Sequence, residues 1–351
     1  MSRCAVLLGL GIAVVGCGRF GFSTTNGGGG GGSPDSGTVD GVTPISDSGE
    51  LMTASCTGLA PTCGPGQNAS CCGSPMVPAG SYKRSYDMAS DGMYPSTMYS
   101  GTVDDFRLDQ YEVTVGRFRK FVEAGMGTQA SPPLPAAGAH PQIGGTGWSS
   151  AWDANLVVDT PALISGIKCS GQFQTWTDTA GANENKAMNC ITWYEAFAFC
   201  AWDGGFLPTE NEWNYAAAGG SDQRAYPWSS PSSSIGIDCN SANYDPSAGS
   251  YCVAPNGGVL PVGSTSPQGD GPFGQADLAG NLWEKTLDTY AGAQYTSMTC
   301  DNCVDLSTPS ARVVRGGAWN ADENSARTGY RYFDPPTDRY IEMGVRCARV
   351  P

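Results

Sequence analysis

Leu207-Pro208-Thr209-Glu210-Asn211-Glu212-Trp213 spells out the start of a helix in seven residues. A threonine followed three residues later by glutamate is a capping box, in which each side chain satisfies a backbone amide that the helix leaves unpaired. The helix is predicted to run through Trp213 and Ala216 and to stop at Gly219-Gly220. Upstream, Thr192-Trp193-Tyr194-Glu195 repeats the box, with Ala196, Phe197 and Cys200 on the Trp193 face. Further upstream, Thr114 precedes Val115, Phe118, Phe121 and Val122 at helical spacing, and Gly125 supplies the stop. These apolar faces are predicted to be core. Short alternating runs at 106–113, 312–315 and 344–350 read as strands. Loops rich in Gly, Pro, Asn and Asp fill the remainder, and no repeat period is visible beyond residue 73. The fold class expected is α+β with little regular structure. The stretch 126–190 has little periodicity and is expected to be a surface excursion.

The chain has 351 residues, of which 49 are glycine and 24 proline, a composition that favours short elements joined by turns. Acidic residues outnumber basic ones 33 to 19, giving a net charge of −14. Nucleic acid is thereby excluded as a partner, because its binding rests on neutralised phosphates. A single histidine, His140, rules out sites needing two or three histidines. It lies in Gly138-Ala139-His140-Pro141 with no GxSxG elbow anywhere in the chain, and reads as a surface-loop residue rather than a catalytic base.

At the N-terminus, Arg3 precedes an apolar run from Cys4 to Val15 that ends in Val14-Val15-Gly16-Cys17. This is the pattern of a secretory signal, too short for a membrane span, and the last four residues resemble a lipobox. Residues 1–16 are expected to be a lipoprotein signal peptide and Cys17 the lipidated residue. Residues 17–55, with Gly27 to Gly32 unbroken, are expected to be a flexible tether reaching roughly 35 Å. The expected location is a bacterial cell envelope, extracytoplasmic and held to the membrane by lipid. Of the fourteen cysteines, Cys4 leaves with the signal and Cys17 carries lipid, so twelve remain for disulfides. Sequence proximity favours Cys169–Cys190, Cys239–Cys252 and Cys300–Cys303. Pairing within the Cys-rich segment 56–75, which holds Cys56, Cys63, Cys71 and Cys72, stays open. Zinc is disfavoured there by the lack of paired CxxC arms.

Six segments in order, Phe106–Thr114, Thr192–Trp202, Leu207–Trp213, Asp277–Glu284, Arg315–Gly317 and Gly344–Cys347, make residues 76–351 resemble the formylglycine-generating-enzyme (sulfatase-modifying factor) domain. The resemblance implies a variant of the C-type lectin fold and a Cys200–Cys347 disulfide. It implies structural calcium held by the carboxylates of Asp277 and Glu284 and the carbonyls of Gly280 and Leu282. A second, less complete site would use Asn243 and the carbonyl of Tyr244. Oxygen and carbonyl donors of this kind suit calcium.

The departure lies after Arg315-Gly316-Gly317. Active members carry there a serine and two cysteines that bind copper(I), and this chain has Ala318, Ala321 and Ala326. Alanine offers a soft metal no donor, so no copper is expected. The old cleft is expected to include Trp283, Arg315, Trp319, Asn320, Asp322 and Arg331. The reading is a non-catalytic binding or scaffolding module for a peptide or glycan. The alternative is an enzyme of the same family with other chemistry, using a metal held by Asp322, Glu323 and neighbouring carboxylates. Iron-dependent relatives that need histidines are excluded by the histidine count.

Overall fold

The computed structural model describes residues 53–307 and 310–351. The expected signal peptide 1–16, the expected lipidation residue Cys17 and most of the expected tether lie outside the described residues. Its last residues do not: Thr53 and Ser55 are buried, and the Ser55 amide donates to Asp203 at 2.7 Å. The folded part thus starts a few residues earlier than composition implied.

Four α-helices form among the described residues: α1 (Val115–Glu123), α2 (Thr160–Gly166), α3 (Trp193–Trp202) and α4 (Glu210–Ala218). Thr114, Thr192 and Thr209 are the N-caps of α1, α3 and α4, and both capping boxes are complete. Gly219 closes α4 at φ +68°, a left-handed conformation that costs glycine nothing.

The strands are short: β1 (Met76–Val77), β2 (Gly80–Lys83), β3 (Ser100–Val103), β4 (Phe106–Leu108), β5 (Trp283–Thr289), β6 (Thr299–Asp301), β7 (Arg312–Arg315), β8 (Tyr332–Asp334), β9 (Met343–Gly344) and β10 (Ala348–Arg349). They form three sheets, ordered β1-β4-β10, β2-β3-β6 and β8-β7-β5-β9. In the third, Glu284 of β5 lies opposite Arg315 of β7, and β8 is an edge strand antiparallel to β7. Every residue of β5 is buried, Glu284, Lys285 and Asp288 included. Such burial requires paired charges: Lys285 meets Asp334, and Glu284 meets Arg346.

The main core gathers around α1 and α3, where Phe118, Phe121 and Phe199 pack ring to ring. The stretch 126–190 differs from the surface excursion that its aperiodicity implied. It contains α2 and contributes Trp148, Leu156, Leu163, Ile167 and Trp176 to the core. Trp148 and Trp152 both pack on Phe197 of α3, so isolated aromatics bury this loop without helical or strand periodicity. A second frame is ionic. Arg117 and Arg349 each bridge Asp109 and Asp203, all four side chains being buried.

Six disulfides staple the described residues: Cys56–Cys72, Cys63–Cys71, Cys169–Cys190, Cys200–Cys347, Cys239–Cys252 and Cys300–Cys303. The Cys200–Cys347 bond ties α3 to the segment before β10. A domain so cross-linked belongs to an oxidising, extracytoplasmic compartment. Among the described residues no helix is long and apolar enough to cross a membrane.

His140 is buried, contrary to the loop-surface expectation. Its Nε2 lies 3.0 Å from Glu212 Oε1, its ring meets Phe206 edge-on, and Nδ1 accepts from the Gln142 amide. The glutamate of the α4 capping box therefore also anchors this histidine.

Candidate functional site

The Arg315-Gly316-Gly317 turn leads out of β7 with both glycines at positive φ (+97° and +74°). A Cβ on Gly317 would lie 3.0 Å from Ala326 backbone, so the turn packs directly on the segment that carries the replaced positions. Ala318 is buried against Trp283, Val314 and Met343, with Ala321 at the edge of the same cluster. Ala326 is buried in another cluster with Ala225, Tyr226 and Ala279. Two of the three methyl groups are thus enclosed in apolar packing. None supplies a donor, and the residues present do not fit copper.

The expected cleft residues separate into three places. Trp319 turns inward, stacking on Phe173 at 5.0 Å and meeting Tyr251 at 5.5 Å. Asn320 and Asp322 are exposed, and Asp322 caps Ser325 through both its amide and its hydroxyl. Glu323 is likewise exposed. Arg331 does not pair with Asp322. Its Nε and Nη2 reach Glu210 at 2.5 and 2.8 Å, and the same carboxylate meets Arg315 Nε at 3.0 Å. Trp283 is buried behind the tyrosines, its ring 5.8 Å from Tyr330 and 5.5 Å from Tyr332.

Glu210 organises the site, a role that the capping-box reading did not anticipate. Burial works against its charge, but Arg331 and Arg315 more than offset this and hold its carboxyl below the usual range. Its backbone amide donates to Asp288 Oδ2 at 2.7 Å. Asp288 behaves in the opposite way: burial, then the Glu210 charge, push it up to about 7. Tyr295, held by Ser85 and Arg315, receives the guanidinium carbons of Arg84 and Arg331 at 4.1 and 4.0 Å from its ring centre.

Two adjoining cavities share Arg84, Gln294, Tyr295 and Arg331. The smaller, about 310 Å³, includes Glu210, Asp288 and Asp305; the larger, about 640 Å³, is lined with tyrosines. Both lie in the size range of small-ligand and peptide clefts. Tyr94, Tyr99, Tyr290 and Tyr295 come from loops without periodicity, which is why pattern reading missed them. Their only signal was a tyrosine count of fifteen.

The segment Asp277–Glu284 curls tightly, with Asp277, Gly280 and Asn281 at φ +58°, +81° and +61°. Asp277 accepts from the Gly263 amide at 2.5 Å, and burial raises its carboxyl to about 6. Glu284 takes both Nε and Nη2 of Arg346 at 2.6 Å and the Trp213 indole at 2.7 Å. Glu112, bonded to Asn281 and to the Leu282 amide, is also raised, first by burial and then by Asp277 and Glu284. Of these three buried carboxylates only Glu284 touches the Arg346 guanidinium; among the described residues Glu112 and Asp277 are held by amide and hydroxyl donors without a cation in contact. Among the described residues no three acidic, histidine or cysteine side chains converge to hold a metal unaided. A calcium ion here would need backbone carbonyls, such as those of Gly280 and Leu282, beside the carboxylates. At the second place, Asn243 Nδ2 is spent on Gly258 and Asn281, its Oδ1 is buried without a partner, and the Tyr244 carbonyl accepts from Cys252.

Comparison with known proteins gives this geometry its context. The chain is 28% identical over 273 residues to the formylglycine-generating enzyme of Thermomonospora curvata, covering 70% of this chain and 82% of that protein. It is 29% identical over 268 residues to the inactive C-alpha-formylglycine-generating enzyme 2 of Bos taurus, covering 70% and 78%. The solved structure of PvdO from Pseudomonas aeruginosa superimposes with a TM-score of 0.52 at 17% identity, over 79% of this chain and 93% of that one, a likeness of fold. Residues 62–351 match the sulfatase-modifying factor enzyme 1-like domain, which reaches back into the Cys-rich segment, and the chain belongs to that family.

Proposed function

We propose that the chain is a lipid-anchored, extracytoplasmic binding module of a bacterial envelope that keeps the family's scaffold and cleft but not its copper chemistry. The observation that carries this reading is the packing of Ala318 and Ala326 into apolar clusters beside an aromatic cleft of about 640 Å³. A cleft of this size binds a segment of peptide or glycan, and alanine at three positions leaves no group to oxidise it. The bovine relative described as inactive is a precedent for a member without the activity. The test is incubation of the purified protein with copper(I), oxygen and a CxPxR peptide, followed by mass spectrometry. The peptide is expected to come back with its thiol intact.

Calcium, in this reading, is structural. Asp277 and Glu284 with the carbonyls of Gly280 and Leu282 would hold it, and its charge would neutralise the carboxylate excess around Arg346. Anchoring is expected through Cys17. Expression of the full chain should give a product that starts at residue 17 and carries acyl chains. Cys17→Ser should abolish acylation, and a wild-type product without acyl mass would remove the anchor from the reading.

A further inference from the structure

The larger cavity has three features that together specify an occupant more narrowly than a cleft of its size. Arg84 faces it from the turn after β2. The side chain is about 95% buried yet makes no ion pair among the described residues. Among the described residues its side chain donates from Nη2 to the Ser297 carbonyl at 2.6 Å, and its Nε is buried without a partner. Arg331, by contrast, is fully committed to Glu210. Among the described residues no aspartate or glutamate lines this cavity, in a protein of net charge −14. Residues 329–333 run along the same wall into β8, whose outer side has no strand beside it among the described residues. Tyr332 and Phe333 of β8 are exposed, each at 41%.

We propose that this cleft docks an acidic peptide segment in extended form alongside β8, with a carboxylate of the peptide seated on Arg84. The inference rests on the reading of the domain as a binding module. A buried guanidinium without a carboxylate in contact is costly, and a charge-assisted hydrogen bond from the part of the Arg84 guanidinium that lines the cavity to an incoming carboxylate recovers that cost. An unpaired strand edge offers alternating amides and carbonyls to a second extended chain. The tyrosine and phenylalanine rings receive its alternate side chains. The edge decides between classes of ligand, because an acidic glycan would satisfy Arg84 but has no alternating backbone groups to pair with β8. The absence of wall carboxylates selects against basic segments by omission of any partner for them.

The test is selection from a random heptapeptide pool on the immobilised full chain, then fluorescence anisotropy with the winning peptide. The selected pool is expected to be enriched at least fivefold in Asp or Glu at one position. Replacing that residue by its amide should weaken binding at least tenfold without any change to the protein. N-methylation at alternate backbone amides should also weaken binding at least tenfold. Arg84→Gln should reduce the acid-over-amide preference to within twofold, with retained folding checked by its melting temperature. Enrichment without charge preference, enrichment of basic residues, or no enrichment over a blank surface overturns the proposal. So does tight binding of oligogalacturonate by a protein that selects no peptide. These affinities are independent of aldehyde formation, so failure here leaves the non-catalytic reading to stand or fall on its own assay.

Discussion

Replacing Glu210 by glutamine is a severe test of how the cleft is held. The carboxylate is buried and serves two guanidiniums at once, Arg331 through two contacts and Arg315 through one. Glu210→Gln preserves the shape of the side chain but removes the charge, leaving two buried cations without the carboxylate they contact; Asp288, no longer raised by the Glu210 charge, ionises more readily and offsets part of the loss. Breaking a buried ion pair from one side costs about 3–5 kcal/mol. For a domain of this size each kcal/mol lowers the melting temperature by about 2–4 °C. The variant should therefore melt roughly 6–20 °C below the wild type in differential scanning fluorimetry. Removing one cation as well should restore part of the loss, so Glu210→Gln/Arg331→Gln is expected to be less destabilised than the sum of its single variants. A fall of less than 2 °C in Glu210→Gln, or strict additivity of the pair, would refute the assignment of Glu210 as the charge that holds the cleft floor.

The neighbouring carboxylates give opposite pH dependences. Asp288 has its folded pKa raised to about 7, so the native state binds the extra proton between roughly pH 4 and 7 and its stabilisation is lost as pH rises through that window, at up to about 1.4 kcal/mol per pH unit. Asp288→Asn should flatten the decline of the urea midpoint between pH 4.5 and 7.5, and an unchanged slope counts against the shift. Glu210, depressed by its arginines, contributes stability that is lost only as pH falls through its own lowered value. Calcium at a hundredfold excess over its dissociation constant should stabilise by about 2.7 kcal/mol and raise the melting point by several degrees relative to chelator. Asp277→Ala should abolish that difference, and an equal melting point with and without calcium in the wild type removes the metal from the proposal.

Sequence reading served best where local chemistry determined local structure. The threonine caps of α1, α3 and α4 were legible because a cap and its partner lie three residues apart and need no tertiary context. Strand β5 was not legible. Its buried positions hold Glu284, Lys285 and Asp288, polar residues that a periodicity argument assigns to solvent, and the partners that permit burial, Arg346 and Asp334, lie some fifty to sixty residues away. The same holds for His140, buried by Glu212 and Phe206 from elsewhere in the chain. Within the cleft, the sequence placed Trp319, Asp322 and Arg331 together because they are close along the chain. The turn after Gly316-Gly317 sends Trp319 into the core, leaves Asp322 outside and delivers Arg331 to Glu210. Arg84 and the tyrosines of the larger cavity carry no motif at all, and only the fold collects them.

The central claim is that the scaffold has been kept while copper-dependent oxidation has been lost, and it meets its most direct test in one experiment. Purified full chain, loaded with copper(I) and supplied with oxygen and a CxPxR peptide, is assayed by mass spectrometry for conversion of the peptide cysteine to the aldehyde. The expected result is no conversion above a protein-free control, as follows from Ala318, Ala321 and Ala326. Catalytic, time-dependent aldehyde formation would contradict it.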